Sequence, residues 1–302
     1  MNPPAVLVVG SVAIDTILTP KGRVENTLGG SAVHFSLSAR HFAPVRMVGV
    51  VGEDFPGAHI EKLRELGVDI VGLDVRRGAK SFRWKGQYEG DMNVAKTLDV
   101  QLNVLGQFEP ELPPAYRDSA YVLLGASAPR TQKKVLTQLG SPRFILVDSR
   151  DFYIEREREA LAEVACRAKA LCLNREEALM FARKTFLVDA VREILRMGIE
   201  TVIIKKAEHG ALLVTREFWC ELPSFPTAEV VDPTGAGDAF AGGFLGTLAR
   251  EGLGGATLRR ALLYGVVMGS FACEGFGSSR LESLERSEIE DRALRLRQMV
   301  SV

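Results

Sequence analysis

One segment of the sequence combines small residues with an acidic side chain: VDPTGAGDAFAGGF, from Val231 to Phe244. Gly235, Ala236 and Gly237 precede Asp238, and the apolar residues after it have helical spacing. A loop of small residues that enters a helix exposes several backbone N–H groups at the positive end of the helix dipole. The segment therefore predicts an anion site, and a phosphoryl group in transfer is a natural occupant.

The carboxylate of Asp238 is unexpected in a site for an anion, because it would repel the ligand. One interpretation is that Asp238 accepts the proton of a hydroxyl nucleophile, since phosphoryl transfer needs positioning, charge neutralisation and a base or orienting group. The other interpretation is that Asp238 is the N-cap of the helix in a tight glycine-rich turn. The residues by themselves leave both interpretations open.

The elements that must position this segment are apolar strands that alternate with amphipathic helices. Continuous apolar strands with helices between them predict a mainly parallel sheet covered on both faces, with ligands at the carboxyl ends of the strands. The predicted helices are 59–66, 156–168, 176–183 and 188–197, with a charged surface helix over 284–299. The predicted strands are 6–9, 47–51, 121–124, 144–147, 170–173, 201–204 and 211–214.

The region 76–103 breaks this alternation. Phe82 and Trp84 alternate with charged residues, and glycines punctuate the run, which predicts a hairpin or small sheet with one apolar face. Residues 14–18 and 23–27 could add strands to it. We interpret 1–302 as one domain in which about 14–27 and 76–104 form either a lid over a substrate or an ordinary insertion that makes a dimer contact.

The composition excludes several classes of protein. Lys+Arg and Asp+Glu are 38 each, so nothing indicates a nucleic-acid partner. The four cysteines form no CxxC pair, which argues against a structural zinc site and suggests a reducing compartment. The N-terminal apolar run resembles a buried strand and not a membrane span or signal peptide, so the cytoplasm is expected. The sequence contains neither G-x-G-x-x-G nor a Walker motif, which argues against a Rossmann enzyme and a P-loop kinase.

Two segments resemble the signatures of one family. DPTGAGDAFAGGF resembles the C-terminal signature of the ribokinase-like, or PfkB, carbohydrate kinases, and Leu28–Gly57 resembles their first signature. The resemblance spans Val6 to about Gly277. It implies a doubly wound α/β fold with a small β lid, and an ATP-dependent kinase that transfers the γ-phosphoryl group to a hydroxyl of a sugar or polyol. A nucleoside kinase of the same fold is an alternative, and a catalytically silent sugar or nucleoside sensor is another.

The resemblance also assigns residues to the acceptor and to the reaction. It implies that Asp238 is the catalytic base and that Gly235, Ala236 and Gly237 are the anion hole. Asp15 matches an aspartate that binds substrate hydroxyls, and Gly29 and Gly30 match a hinge between lid and main domain. His34 stands where family members often carry Asn, so it either contacts the substrate or packs on its helix.

The same resemblance assigns residues to the donor and to cations. It implies that Asn174 and Glu177 hold Mg²⁺ through water, although N-x-x-E also fits a capping box. Lys205 matches a residue that reaches a nucleotide phosphate, with a solvated surface lysine as the alternative. Some family members bind a monovalent cation such as K⁺, and homodimers formed through the lid are common in the family. The resemblance further assigns Ala207 and Gly210 to the nucleotide site, and Asp232 and Thr234 to the monovalent cation site.

Overall fold

The computed structural model describes residues 3–227 and 229–301, and it arranges their strands in two sheets. The strands are, in chain order, β1 Val6–Val9, β2 Ala13–Thr19, β3 Gly22–Gly29, β4 Val45–Gly52, β5 Val68–Arg76, β6 Phe82–Tyr88, β7 Ala95–Gln101, β8 Tyr121–Leu124, β9 Phe144–Asp148, β10 Lys169–Asn174, β11 Thr201–Lys205, β12 Ala211–Thr215 and β13 Trp219–Leu222.

The helices follow the same alternation along the chain, because a parallel crossover between neighbouring strands needs a helix or long loop to return the chain. They are α1 Ser31–Ala39, α2 Gly57–Glu65, α3 Pro129–Leu136, α4 Asp151–Ala168, α5 Arg175–Ala182, α6 Leu187–Arg196, α7 Ala236–Glu251, α8 Gly255–Ala272, α9 Ser279–Ser283 and α10 Arg286–Val300.

The large sheet has the order β13-β12-β11-β10-β9-β8-β1-β4-β5. From β11 to β5 all neighbours are parallel, and β12 and β13 are antiparallel additions at one edge. Its central strands are buried on both faces, with one core cluster under α1, α7, α8 and α10 and another under α3–α6. The predicted mainly parallel sheet, covered on both faces, is confirmed.

Two strands of the large sheet are absent from the predicted set. β5 and β13 lie at the two edges, and their residues alternate between buried or half-buried and exposed. An edge strand that is half solvated carries no continuous apolar run. The pattern that predicted the central strands therefore could not detect these two.

The second sheet, which we call the small sheet, has the order β3-β2-β6-β7. β6 and β7 form an antiparallel hairpin, and β6 lies parallel to β2. In β6 the side chains of Phe82, Trp84 and Tyr88 are buried, whereas the residues between them are half-exposed or glycine. The buried face of the small sheet points to the carboxyl ends of the large sheet, where the cavities described below are found. A role as a lid stays a prediction, as does the interpretation of the chain as one domain.

No helix in the described ranges combines the length and the apolar character that a bilayer crossing requires.

Candidate active site

The loop of small residues leads into α7 as predicted, and Gly235 is the residue that caps the helix. Its φ of 77° lies in the left-handed region, and a Cβ at this position would overlap the ring of His34. Only glycine fits both conditions. Asp238 lies within the first turn of α7 and makes no capping hydrogen bond, so the interpretation of Asp238 as an N-cap is wrong.

A first cavity, of about 240 Å³, lies between this loop and the small sheet. We call it the acceptor cavity. Among the predicted residues it brings together Asp15, Gly30, His34, Thr234, Gly235, Gly237 and Asp238, together with Glu177 and Lys205. The small sheet contributes an aromatic wall to it. The wall consists of Phe82, Trp84 and Tyr88.

Asp15 lies in β2, and its carboxylate is buried beside the acceptor cavity. Its Oδ1 has no hydrogen-bond partner among the described residues, and a buried carboxylate oxygen normally has one. A Cβ on Gly29 would overlap Oδ2 of Asp15, so the first glycine of the pair makes room for this carboxylate. Burial raises the pKa of Asp15 to about 7, and the negative charge of Asp232 adds to the effect.

Asp238 faces the acceptor cavity from α7. Burial raises its pKa to about 7, and the neighbouring charge of Asp148 acts in the same direction, whereas Lys205 and Arg150 act against it. A carboxyl group whose pKa lies near neutrality is matched to the work of a general base. Arg150 lines the cavity and forms no ion pair within the described ranges.

His34 lies under the loop, with its side chain almost fully buried. Neither ring nitrogen has a hydrogen-bond partner in the part of the chain that the structure describes. Burial lowers the pKa of His34 to about 4, so the ring is neutral at pH 7. The structure thus shows that His34 packs against Gly235 at the cavity wall, and substrate contact stays a prediction.

A second cavity, of about 680 Å³, adjoins the first. We call it the donor cavity. It contains Asn174, Ala207, Gly210 and Ala236 from the predicted set, and an apolar part that includes Phe225, Val230, Phe240 and Val266. Three residues line both cavities: Glu177, Lys205 and Gly237.

Asn174 and Glu177 form a reciprocal capping box at the start of α5. The N–H of Glu177 donates to Oδ1 of Asn174, and the N–H of Asn174 donates to Oε2 of Glu177, both at 2.8 Å. Burial raises the pKa of Glu177 to about 7. The described residues contain no group of three or more His, Cys, Asp or Glu side chains that could hold a metal directly. A metal here would keep water and substrate oxygens as ligands, as Mg²⁺ commonly does.

Lys205 is not a solvated surface lysine. Its ammonium donates to Oδ2 of Asp148 at 3.0 Å, and it lies against Gly237 where the two cavities meet. Burial alone would lower the pKa of Lys205, but the surrounding negative charges together outweigh it and raise the pKa, with Asp148 making the largest contribution among them. Asp148 was not among the predicted site residues. Asp148 could have been found from the sequence, because it is a polar residue at the end of an apolar strand.

Asp232 and Thr234 hold the segment before the loop. Oδ1 of Asp232 accepts from the N–H of Thr234 at 2.9 Å, and Oδ2 accepts from the N–H of Gly277 at 2.8 Å. These contacts give Asp232 a structural role, and a monovalent cation at this place stays a prediction.

A pair of serines at the start of α1 was also absent from the predicted residues. The N–H of Ser11 donates to Oγ of Ser31 at 3.1 Å, and the N–H of Ser31 donates to Oγ of Ser11 at 3.0 Å.

Comparison with known proteins agrees with this geometry. Residues 115–284, more than half of the chain, match the model of the pfkB family of carbohydrate kinases. A cytidine kinase of Thermococcus kodakarensis is 34% identical over 251 residues, which cover 81% of this chain and 88% of that protein.

Solved structures show the same fold at lower identity. A nucleoside kinase of Methanocaldococcus jannaschii superposes with a TM-score of 0.79 at 18% identity, covering 98% of this chain and all of that one. An E. coli protein assigned as a ribokinase II was solved both without ligands and with ATP and Mg²⁺. The ligand-free structure superposes with a TM-score of 0.82, and the complex superposes with a TM-score of 0.81. The latter is 21% identical and covers 97% of this chain and 99% of its own. The chain therefore belongs to the pfkB family of carbohydrate kinases, and it is a phosphotransferase that acts on a hydroxyl group of a sugar or nucleoside.

Proposed function

We propose that this protein transfers the γ-phosphoryl group of ATP to a ribose hydroxyl of a nucleoside, in the presence of Mg²⁺ and with Asp238 as the base. The observation that carries the proposal is the pair of adjoining cavities. They meet at Glu177, Lys205 and Gly237, and Asp238 faces only the smaller one. A base that removes a proton from the acceptor has to lie on the acceptor side of such a junction.

In the proposed reaction each group of the chain acts at one atom. The unpartnered Oδ1 of Asp15 accepts a hydrogen bond from a hydroxyl of the acceptor and orients it. The acceptor oxygen forms a bond to the γ-phosphorus while the bond from that phosphorus to the β–γ bridging oxygen breaks. The proton of the hydroxyl moves to the carboxylate of Asp238. The N–H groups of Gly235 and Gly237 stabilise the charge on the phosphoryl oxygens, whereas the N–H of Ala236 donates to the carbonyl of Pro233 at 3.1 Å in the ligand-free chain.

The donor side fits a nucleotide and its cation. The apolar part of the donor cavity suits a base, and Lys205 and the loop supply positive charge and N–H donors for phosphates. Bound Mg²⁺ would neutralise phosphate charge, with Glu177 and Asn174 as its partners through water. The half-buried Glu177, with its raised pKa, is consistent with a carboxylate that gains a cation on binding.

A nucleoside is favoured as the acceptor by two observations. The aromatic wall of the acceptor cavity offers faces on which a base can stack. The cytidine kinase matches most of this chain at 34% identity. A free sugar or polyol is the second candidate, because a volume of about 240 Å³ is smaller than the roughly 300–1,000 Å³ of ordinary ligand cavities.

The test is ADP release with Mg²⁺ and ATP across cytidine, uridine, adenosine, inosine, ribose, fructose and inositol. We expect one or more nucleosides to exceed every free sugar at least tenfold in kcat/KM. A sugar or polyol that exceeds all nucleosides would establish the second candidate instead. Tight binding of an acceptor without turnover would establish the sensor. A cytoplasmic location and a homodimer through the small sheet remain predictions.

A further inference from the structure

The hairpin of β6 and β7 borders both cavities. The side chains of its first strand form the aromatic wall of the acceptor cavity. Its turn, through Asp91, Met92 and Asn93, lines the donor cavity. The same short piece of chain therefore touches the space for each substrate, and its position relative to the loop 235–237 sets the geometry between them.

A hydrogen bond joins this hairpin to the segment that precedes the loop. The hydroxyl of Thr234 donates to the hydroxyl oxygen of Tyr88 at 3.2 Å. Tyr88 is the last residue of β6, is 8% exposed and lines the wall of the acceptor cavity. The N–H of Thr234 is held from the other side by Asp232. Thr234 is thus fixed by two partners, one in the core and one on the small sheet.

We propose that Tyr88 is a positioning residue for phosphoryl transfer. Its hydroxyl fixes Thr234, and through it the N–H groups of the loop 235–237, relative to the acceptor cavity. Gly235 caps α7, and Ala236 and Gly237 are its first two residues, so the packing of α7 anchors one end of the loop. The two glycines have no side chain of their own, so the contacts of Thr234 anchor the other end. Misplacement of such groups by about 1 Å can cost about 10²-fold in rate. This inference rests on the proposed function of the loop.

The position of the loop matters most in the transition state, because the N–H groups act on charge that develops there. Loss of the Tyr88 hydroxyl should therefore lower kcat more than it changes the KM for the acceptor. A residue that only touched the acceptor would show the reverse. A residue that only held the fold would lower thermal stability and leave the kcat of the folded fraction unchanged.

The experiment is a double-mutant cycle of Tyr88→Phe and Thr234→Val, read on kcat and on both KM values. We expect each single variant to lose roughly tenfold in kcat, with the acceptor KM changed less than about threefold. The double variant should be no slower than the slower single one. Thr234→Ser, which keeps the hydroxyl, should restore most of the rate. Tyr116→Phe is the matched control, because it removes a tyrosine hydroxyl that donates to the carbonyl of Asp69 and lines neither cavity.

Two outcomes would overturn the inference while leaving the proposed function intact. One is an additive loss in the double variant, and the other is a raised acceptor KM at unchanged kcat in Tyr88→Phe. A wild-type protein without turnover on any acceptor would instead contradict the proposed function. In that case the affinity of the same variants for AMP-PNP with Mg²⁺ would be measured by calorimetry. Additive losses of affinity in the double variant would again overturn the role of the pair.

Discussion

At the scale of single residues, the site depends on a carboxyl group that is only partly exposed to water. Asp238 is half-buried in the first turn of α7, where the helix dipole favours its charge and partial burial opposes it. The balance leaves its pKa near neutrality, so the group can both accept a proton and release it at physiological pH. A surface aspartate would accept a proton far less readily, because its pKa would lie about three units lower.

Asp238→Asn should therefore separate function from stability. We expect kcat to fall by about 10²–10⁴-fold, since general-base catalysis contributes about that much. Affinity for AMP-PNP should change little, because Asp238 does not line the donor cavity. The free energy of unfolding at pH 8 should rise by about 1–3 kcal/mol, since the buried charge is removed. Steady-state kinetics and urea unfolding measure the two effects.

The control for this variant is Asp189→Asn, an exposed aspartate on α6. It should leave kcat and stability nearly unchanged. A near-normal rate in Asp238→Asn would contradict the assignment of Asp238 as the base.

At the scale of elements, three neighbouring parallel strands end in polar residues that meet at the cavities. β9 ends in Asp148, β10 in Asn174 and β11 in Lys205. The carboxyl ends of parallel strands lie at one edge of the sheet, so residues far apart in the chain become neighbours there. The ion pair between Asp148 and Lys205 spans β10 and keeps a half-buried ammonium beside Gly237.

Asp148→Ala should destabilise the protein by about 1–3 kcal/mol, because it leaves a half-buried ammonium without its ion-pair partner. Adding Lys205→Met should restore at least half of that loss, since the unpaired charge is then removed. Chemical unfolding of the two single variants and the double variant measures this. Glu200→Ala, which breaks the exposed pair with Lys169, is the control and should cost less than about 1 kcal/mol. Additive losses in the double variant would show that the pair is not coupled.

At the scale of the whole molecule, the acceptor and donor cavities impose a cost on the ligand-free fold. Asp15 is buried, Glu177 and Asp238 are half-buried at the cavity walls, and the pKa of each is raised to about 7. In the unfolded chain the same groups titrate near 4. The folded state therefore holds more protons than the unfolded state up to about pH 7. By linkage, stability from these groups is complete below about pH 4 and is lost as the pH rises through 7.

Activity and stability should then respond to pH in opposite directions. Between pH 6.5 and 8.5 the free energy of unfolding should fall by roughly 1 kcal/mol for each of the three groups. His34 and His41 act in the opposite direction, because the pKa of each is lowered to about 4 from 6.5, chiefly by burial, and most of their effect lies below pH 6.5. What remains above pH 6.5 should offset the fall by roughly 0.4 kcal/mol for each histidine. Over the same range kcat/KM should rise, since Asp15 and Asp238 both act as carboxylates.

Urea unfolding and kcat/KM at a series of pH values measure the two trends. In Asp238→Asn the slope of stability against pH should decrease by about one third, because one of the three groups is gone. An unfolding free energy that is flat between pH 6.5 and 8.5 would contradict the raised pKa values.

The sequence by itself determined the fold class and the family, and it named several of the residues that line the two cavities. Continuous apolar strands and amphipathic helices have characteristic spacings of apolar residues, so these elements could be predicted from the sequence alone. The anion site in VDPTGAGDAFAGGF could also be predicted, because small residues at the start of a helix expose backbone N–H groups to a ligand. The edge strands β5 and β13 could not, since partial solvation erases the apolar pattern.

Only the tertiary structure decided what each polar residue does. It showed that Asp238 is half-buried and does not cap its helix, that Lys205 is paired with Asp148, and that Asn174 and Glu177 form a capping box. It also brought Tyr88 to Thr234, two residues separated by 146 positions in the chain. These facts depend on desolvation and on contacts between distant strands. Neither property is encoded in the spacing of neighbouring residues, so only the folded arrangement of the two sheets reveals them.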